Sequence, residues 1–320
     1  MGKYLIDTHI HAVGATAAYG KLSDKIRRVE DAINIHSRYP ELLRARFSDE
    51  IIDISDDLIA IMNQHGITHA IIQQTVGGGS NELVTKTVKK YPDRLFGLIH
   101  IGGFDIPPAD IAGRRPGKRP SEEELAKNRK KAAEEIRQGV EELGLIGIAE
   151  FFPRRFTMAV HPENIAEDLS PFMDVVAKYK IPVQIMTAYT TFPHNLMYGD
   201  PVWTDELAYA YPDVPIILTK MGRGIPHIFE NALSVARRNT NVYLDTVGTT
   251  GEHIRKAIDQ IGANRIMFGT DWAPTWRWVT EPTDYYTLRK SVLDKANLTP
   301  SEREQIEWRT AASVFKLDLE

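Results

Sequence analysis

Eight short apolar runs, each followed by a stretch with the period of an amphipathic helix, constrain this chain more than any other feature. The runs cover residues 4–10, 68–75, 95–101, 146–152, 182–188, 215–221, 241–247 and 265–271. Several are apolar at nearly every position, as strands covered on both faces must be, rather than alternating as half-exposed strands do. Strand and helix in regular alternation select an α/β fold with parallel strands, and eight such units close into a (β/α)₈ TIM barrel. The expectation is one domain spanning 1–320, a length within the range of single barrels.

The intervening helices are expected at 55–65, 80–91, 122–143, 163–180, 202–211, 226–239, 251–262 and 283–292, with a last one at 300–314. The longest opens on Ser121 with Glu124 in capping-box spacing and ends before Gly144, a residue free to take the left-handed turn that stops a helix. Pro92, Pro182 and Pro212 stand just ahead of strands, where a helix has to end. Two connections are longer than a barrel requires, 12–54 after the first strand and 102–121 after the third. Both follow the C-terminal ends of strands, the side on which barrels carry their chemistry. The second holds Arg114, Arg115, Lys118 and Arg119, which suits either a solvated loop or a cover over an anion.

Composition removes several function classes. Lys plus Arg is 39 against 43 acids, a net charge of −4 with no basic excess for nucleic acid. The absence of cysteine excludes disulfides, thiolate metal sites and cysteine nucleophiles, so a metal here has to be held by nitrogen and oxygen. No apolar run is long enough for a membrane span or signal peptide, which makes a cytoplasmic protein with a small-molecule anionic substrate the expectation. Pairing of barrels into a homo-oligomer stays open.

His9 and His11 lie two apart at the end of the first strand, so their side chains share a face and can converge on one ion. The eighth strand ends in Gly269-Thr270-Asp271, and in a closed barrel it lies beside the first. Asp271 is thereby brought to the two histidines as an oxygen ligand or as a proton acceptor.

The segments IDTHIH, FGTDWAP, KKYPDRLFGLIHIG and IEWRTAASVFKL together resemble the amidohydrolase superfamily, in particular its aminocarboxymuconate-semialdehyde decarboxylase-like, amidohydrolase-related branch. The resemblance runs over nearly the whole chain. It implies that His9, His11 and Asp271 are ligands of one divalent ion, and that the activity is either hydrolysis of an amide or lactone or decarboxylation of an aromatic or muconic acid. Zinc is the first choice of metal and manganese the second, since a nitrogen-and-oxygen site separates them poorly.

The chain departs from that branch at two places. Met186 stands where the fifth strand normally brings a histidine to the metal, and Lys220 where the sixth strand brings a histidine that acts as acid or base. Lys220 is expected to act in catalysis, either as a buried neutral nucleophile or, by preference, as the holder of a substrate carboxylate. Glu150 is the first candidate to complete the metal site, and an ion pair with Arg154 or Arg155 is its competing role. His100 and His194 come next, the first equally suited to the core and the second to a solvated loop. Arg154 and Arg223 follow strands four and six and suit a substrate carboxylate. Trp272, with Trp276, Trp278, Tyr189 and Phe192, suits an aromatic pocket wall as well as loop packing.

Three functions follow in order. The first is a metal-dependent hydrolase acting on a small carboxylate-bearing substrate through a metal-activated water, with Asp271 moving the proton. The second is a non-oxidative decarboxylase, and the third a barrel that has lost catalysis and binds a ligand.

Overall fold

The computed structural model describes residues 3–11, 13–14, 52–73, 80–101, 121–151, 165–187, 199–272 and 285–319. Strands β1 (Ile6–Ile10), β4 (His69–Ile72) and β5 (Leu95–Gly97) pair in parallel. A second parallel run joins β6 (Ile148–Phe151), β7 (Val183–Met186), β8 (Ile216–Thr219), β9 (Val242–Asp245) and β10 (Ile266–Met267) in that order. Two single parallel bridges, Ile99 to Ile148 and Ile10 to Trp272, connect the runs at both ends and close the ring. The eight expected strands are all present, each shorter than its apolar run, and the (β/α)₈ barrel stands. The two remaining strands, β2 (Val13–Gly14) and β3 (Ile52–Asp53), form a small antiparallel ladder. It holds the two ends of the long first connection together. The rest of that connection and most of the one after the third strand, with Arg114, Arg115, Lys118 and Arg119, lie outside the described residues.

The helices that cover the ring are α1 (Ser55–His65), α2 (Asn81–Lys90), α3 (Glu122–Glu141), α4 (Ile165–Tyr179), α5 (Thr204–Ala210), α6 (Pro226–Arg238), α7 (Gly251–Ile261) and α8 (Tyr285–Asp294). The capping box at the start of α3 forms as expected: the Ser121 hydroxyl accepts from the backbone of Glu124, and the Glu124 carboxylate accepts from the backbone of Ser121. The terminal helix expected at 300–314 is split into α9 (Pro300–Glu304), one widened turn over Gln305–Arg309, and α10 (Thr310–Phe315).

Two apolar layers result. Between strands and helices lies the large core, with Ile10, Ile72, Ile148, Phe151, Ile185 and Leu244 contributed by strands. Inside the ring, Ile6, Ile71, Leu98, Ala149, Ile217 and Met267 meet Ala311, Val314 and Phe315 of α10. The C-terminal helix therefore plugs one end of the barrel, and the other end is left for polar side chains.

Candidate metal centre and active site

Regular strand alternation would place Ile6 and Ile10 on the same face, yet Ile6 belongs to the interior layer and Ile10 to the outer core. A register shift between Asp7 and Ile10 accounts for this and turns His9 and His11 into the mouth of the barrel. The same device acts on β6, where a shift between Ile148 and Phe151 sends Glu150 inward together with Ala149. The ligand-type atoms of His9, His11 and Glu150 then lie within 4.8 Å of one another.

His9 is oriented by Asp245, a fully buried residue at the end of β9. Its Nδ1–H donates to Asp245 Oδ2 at 2.9 Å, so the lone pair sits on Nε2, which faces the mouth. The other oxygen of Asp245 accepts from the backbone N–H of Lys220 at 2.6 Å and of Val247 at 3.0 Å. One carboxylate thus positions both the histidine and the lysine. His11 Nε2 lies 3.2 Å from Asp271 Oδ1, and its Nδ1 is buried without a hydrogen-bond partner among the described residues. Two imidazole lone pairs and the Glu150 carboxylate form a nitrogen-and-oxygen donor set without thiolate, which fits one divalent ion.

Lys220 stands at the centre of this group. Its Nζ is 2.8 Å from Glu150 Oε1, 3.3 Å from His9 Nε2 and 3.7 Å from Asp271 Oδ2, and the residue is 3% exposed. Glu150 also accepts from the Thr219 hydroxyl, and its backbone N–H donates to Gln73 Oε1 at 2.7 Å. Asp271 accepts from Arg223 Nη2 at 2.8 Å. Burial by itself would raise both carboxyls, but the adjacent Lys220 ammonium outweighs it. Glu150 is held at about 2, and Asp271, which also bonds His11, lies well below the usual carboxylate range.

Under the site, Asp7 fastens the first strand to the last. Its carboxylate accepts from the Thr270 backbone at 3.0 Å, the Thr270 hydroxyl at 2.5 Å and the His9 backbone at 3.2 Å. Burial raises this carboxyl to about 7 against the pull of those donors.

The backbone is strained at the same place. Asp271 has φ +60°, and the five consecutive residues Lys220, Met221, Gly222, Arg223 and Gly224 all have φ between +43° and +74°. Non-glycine residues pay for a left-handed backbone, and such residues gather where function fixes geometry. This left-handed turn carries Lys220 inward and Arg223 to the rim beside Asp271.

Of the residues expected from sequence, the fold brings together His9, His11, Glu150, Lys220, Arg223 and Asp271. The carboxylates that Lys220 and Arg223 contact are the protein's own, Glu150 and Asp271. His100 is half-buried at the end of the third strand, where Asn81 bonds both its backbone groups, and it is not part of the donor cluster. Trp272 is completely buried in the core beside Tyr286, with ring centroids 6.5 Å apart. It packs and bridges the barrel seam instead of walling a pocket. Arg154, Arg155, His194, Trp276, Trp278, Tyr189 and Phe192 lie outside the described residues. Met186 keeps the face of Gln184, whose Nε2 reaches Thr8 O across the barrel at 2.9 Å, so the fifth strand presents a thioether there.

Sequence reasoning missed Asp245. Its signal was the one used for Asp271, an acid closing an apolar strand run, but it is 236 residues from the histidine it orients. Asp245→Asn makes this role testable. The amide oxygen can keep both backbone donors, and the NH₂ then faces His9 Nδ1, which moves the ring proton to Nε2 and removes the lone pair from the cradle. Affinity for Mn²⁺ or Zn²⁺ is expected to fall about 10- to 100-fold in a metal titration. Unchanged affinity would remove Asp245 from this role.

Comparison with known proteins agrees with this architecture. The family model described as Amidohydrolase matches residues 6–317. The γ-resorcylate decarboxylase of a Polaromonas species, strain JS666, is 24% identical, covering 88% of this chain and 91% of that protein. An uncharacterised TIM-barrel protein from Bordetella bronchiseptica superposes with a TM-score of 0.66 at 18% identity, over 98% of each chain. A dihydroxybenzoic acid decarboxylase from Polaromonas sp. JS666, solved with manganese and 2-nitroresorcinol, gives 0.63 at 20% identity over 100% of this chain and 98% of that one. With a family match over nearly its full length and a donor cluster at the mouth of a closed (β/α)₈ barrel, this chain belongs to the amidohydrolase family.

Proposed function

We propose that this protein is a metal-dependent, non-oxidative decarboxylase of a small hydroxylated aromatic acid. The observation that carries the reading is the match to γ-resorcylate decarboxylase over 88% of this chain, which supports a carboxy-lyase better than the hydrolase expected from the residues alone. The site suits such a substrate, since its mouth offers the cations Lys220 and Arg223 beside Asp271.

In this reading the substrate's carboxylate enters against Arg223 and Lys220, and Asp271 faces the ring carbon that bears it. His9, His11 and Glu150 would hold a divalent ion, which would supply positive charge for a carboxylate or an adjacent phenolate. The carbon–carbon bond breaks, its electron pair stays with the ring, and a proton replaces carbon dioxide on that carbon. Without substrate, Asp271 is ionised because Lys220 and His11 stabilise its charge. An incoming anion satisfies the same cations, weakens their hold on Asp271 and lets it take up and deliver the proton.

Incubation with 2,6-dihydroxybenzoate and related hydroxybenzoates in D₂O, with Mn²⁺ or Zn²⁺, is expected to release CO₂ and leave deuterium on the carbon that lost it. No CO₂ from any member of the panel, with well-folded and metal-loaded protein, would overturn the assignment. Hydrolysis is the second reading, and the location of the Asp271 carboxylate beside His11 and Lys220 at the donor cluster favours it, because a carboxylate there is within reach of a water proton. Turnover of lactones or amides bearing a carboxylate, without CO₂, would select it.

A further inference from the structure

We propose that the Lys220 ammonium is a tethered cation that competes with the divalent ion for the donor cradle, so that metal loading displaces it toward the substrate's carboxylate. The inference rests on reading His9, His11 and Glu150 as the metal site. An ammonium has three N–H donors and no acceptor, and Lys220 Nζ has three acceptors around it: Glu150 Oε1 at 2.8 Å, His9 Nε2 at 3.3 Å and Asp271 Oδ2 at 3.7 Å. Glu150 and His9 also belong to the donor cluster, so the ammonium uses groups that the ion needs.

The root of the side chain is fixed. Lys220 has φ +67°, its N–H is bonded by Asp245, and Gly222 just after it donates to Thr187 Oγ1 at 3.2 Å. What can move is the four-carbon stem. Two cations a few ångströms apart among the same acceptors repel strongly in a buried site. An ion entering between His9, His11 and Glu150 therefore turns the ammonium out. Asp271 and Arg223 mark the rim on that side, where a substrate carboxylate would meet it. Loading with metal and binding of an anionic substrate then favour each other, because the first frees the cation that the second uses.

The test compares chelator-treated wild type with Lys220→Met, which keeps the length of the side chain and removes the charge. Titration calorimetry with MnCl₂ and with ZnCl₂, in the absence of substrate, should show one ion per chain bound at least tenfold more tightly by the variant. Equal or weaker binding by the folded variant, or no binding by either protein, overturns the proposal. Should the variant fail to fold, reductive methylation of wild type supplies the answer. Labelling of Lys220, read by peptide mass spectrometry, should rise at least threefold when Mn²⁺ is added, and unchanged labelling overturns the proposal. Because neither measurement uses turnover, the result is separate from the CO₂ assay, which decides the carboxy-lyase reading.

Discussion

Asp271→Asn is expected to lower turnover by about a thousandfold with the barrel intact. Asparagine is the appropriate replacement because it matches aspartate in shape and tolerates the left-handed backbone required at φ +60°, whereas alanine would add strain of its own. The amide cannot accept or release the proton that either reaction needs, and general acid–base groups contribute roughly 10²- to 10⁴-fold. Arg223 and Lys220 lose one counter-charge, but Lys220 keeps Glu150 and half-buried Arg223 keeps access to water, so circular dichroism and the melting curve should remain those of a folded barrel. Initial rates of CO₂ release, measured beside the thermal melt, read both effects. Activity within tenfold of wild type would remove Asp271 from the proton path.

The largest effect on stability is expected from Gly222→Ala, in the left-handed turn after β8. A Cβ at Gly222 would meet Phe229 N at 2.6 Å and Ile228 C at 2.9 Å, both backbone atoms of the first turn of α6. They cannot move aside as a flexible side chain can. The left-handed φ of +72° costs an L-residue roughly 1–2 kcal/mol in addition. Together these give a destabilisation of about 3–4 kcal/mol, a fall in melting temperature of roughly 4–6 °C for a chain this long. Gly224→Ala is the control, since its φ is similar at +74° but the nearest atom to an added Cβ is His253 Cε1 at 3.9 Å. It should lose only about 1–2 kcal/mol. Equal losses in the two variants would show that the contact with α6 is not what fixes the turn. Because Gly222 lies two residues beyond Lys220, its variant should also lose activity beyond the loss attributable to unfolding.

Local regularities carried most of what could be read in advance. Buried parallel strands need continuous apolar runs, and helices need a period near 3.6, so eight βα units were legible without any contact map. The capping box at Ser121 and Glu124 is likewise a short-range device and formed as its spacing implied. His9 and His11 share a face by their separation of two. Their neighbour Asp271 followed from ring closure, which the bridge between Ile10 and Trp272 completes. Residues whose role depends on both fold and surroundings were harder to place. Trp272 has the composition of a pocket wall, but the seam between the first and last strands buries it in the core.

By itself the sequence determined the barrel, the end of it that carries chemistry, and a metal-competent pair of histidines with an aspartate beside them, because these depend on periodicity and on the order of strands around a closed ring. Only the tertiary structure decided what surrounds them. The register shifts in β1 and β6 aim His9, His11 and Glu150 at one point, and no pattern of residue types encodes a shift of one position. The left-handed turn puts the Lys220 ammonium against Glu150, 70 residues away, and Asp245 fixes the tautomer of a histidine 236 residues distant. Those are distances across a folded barrel, set by how its strands are held, and the order of residues along the chain carries no measure of them.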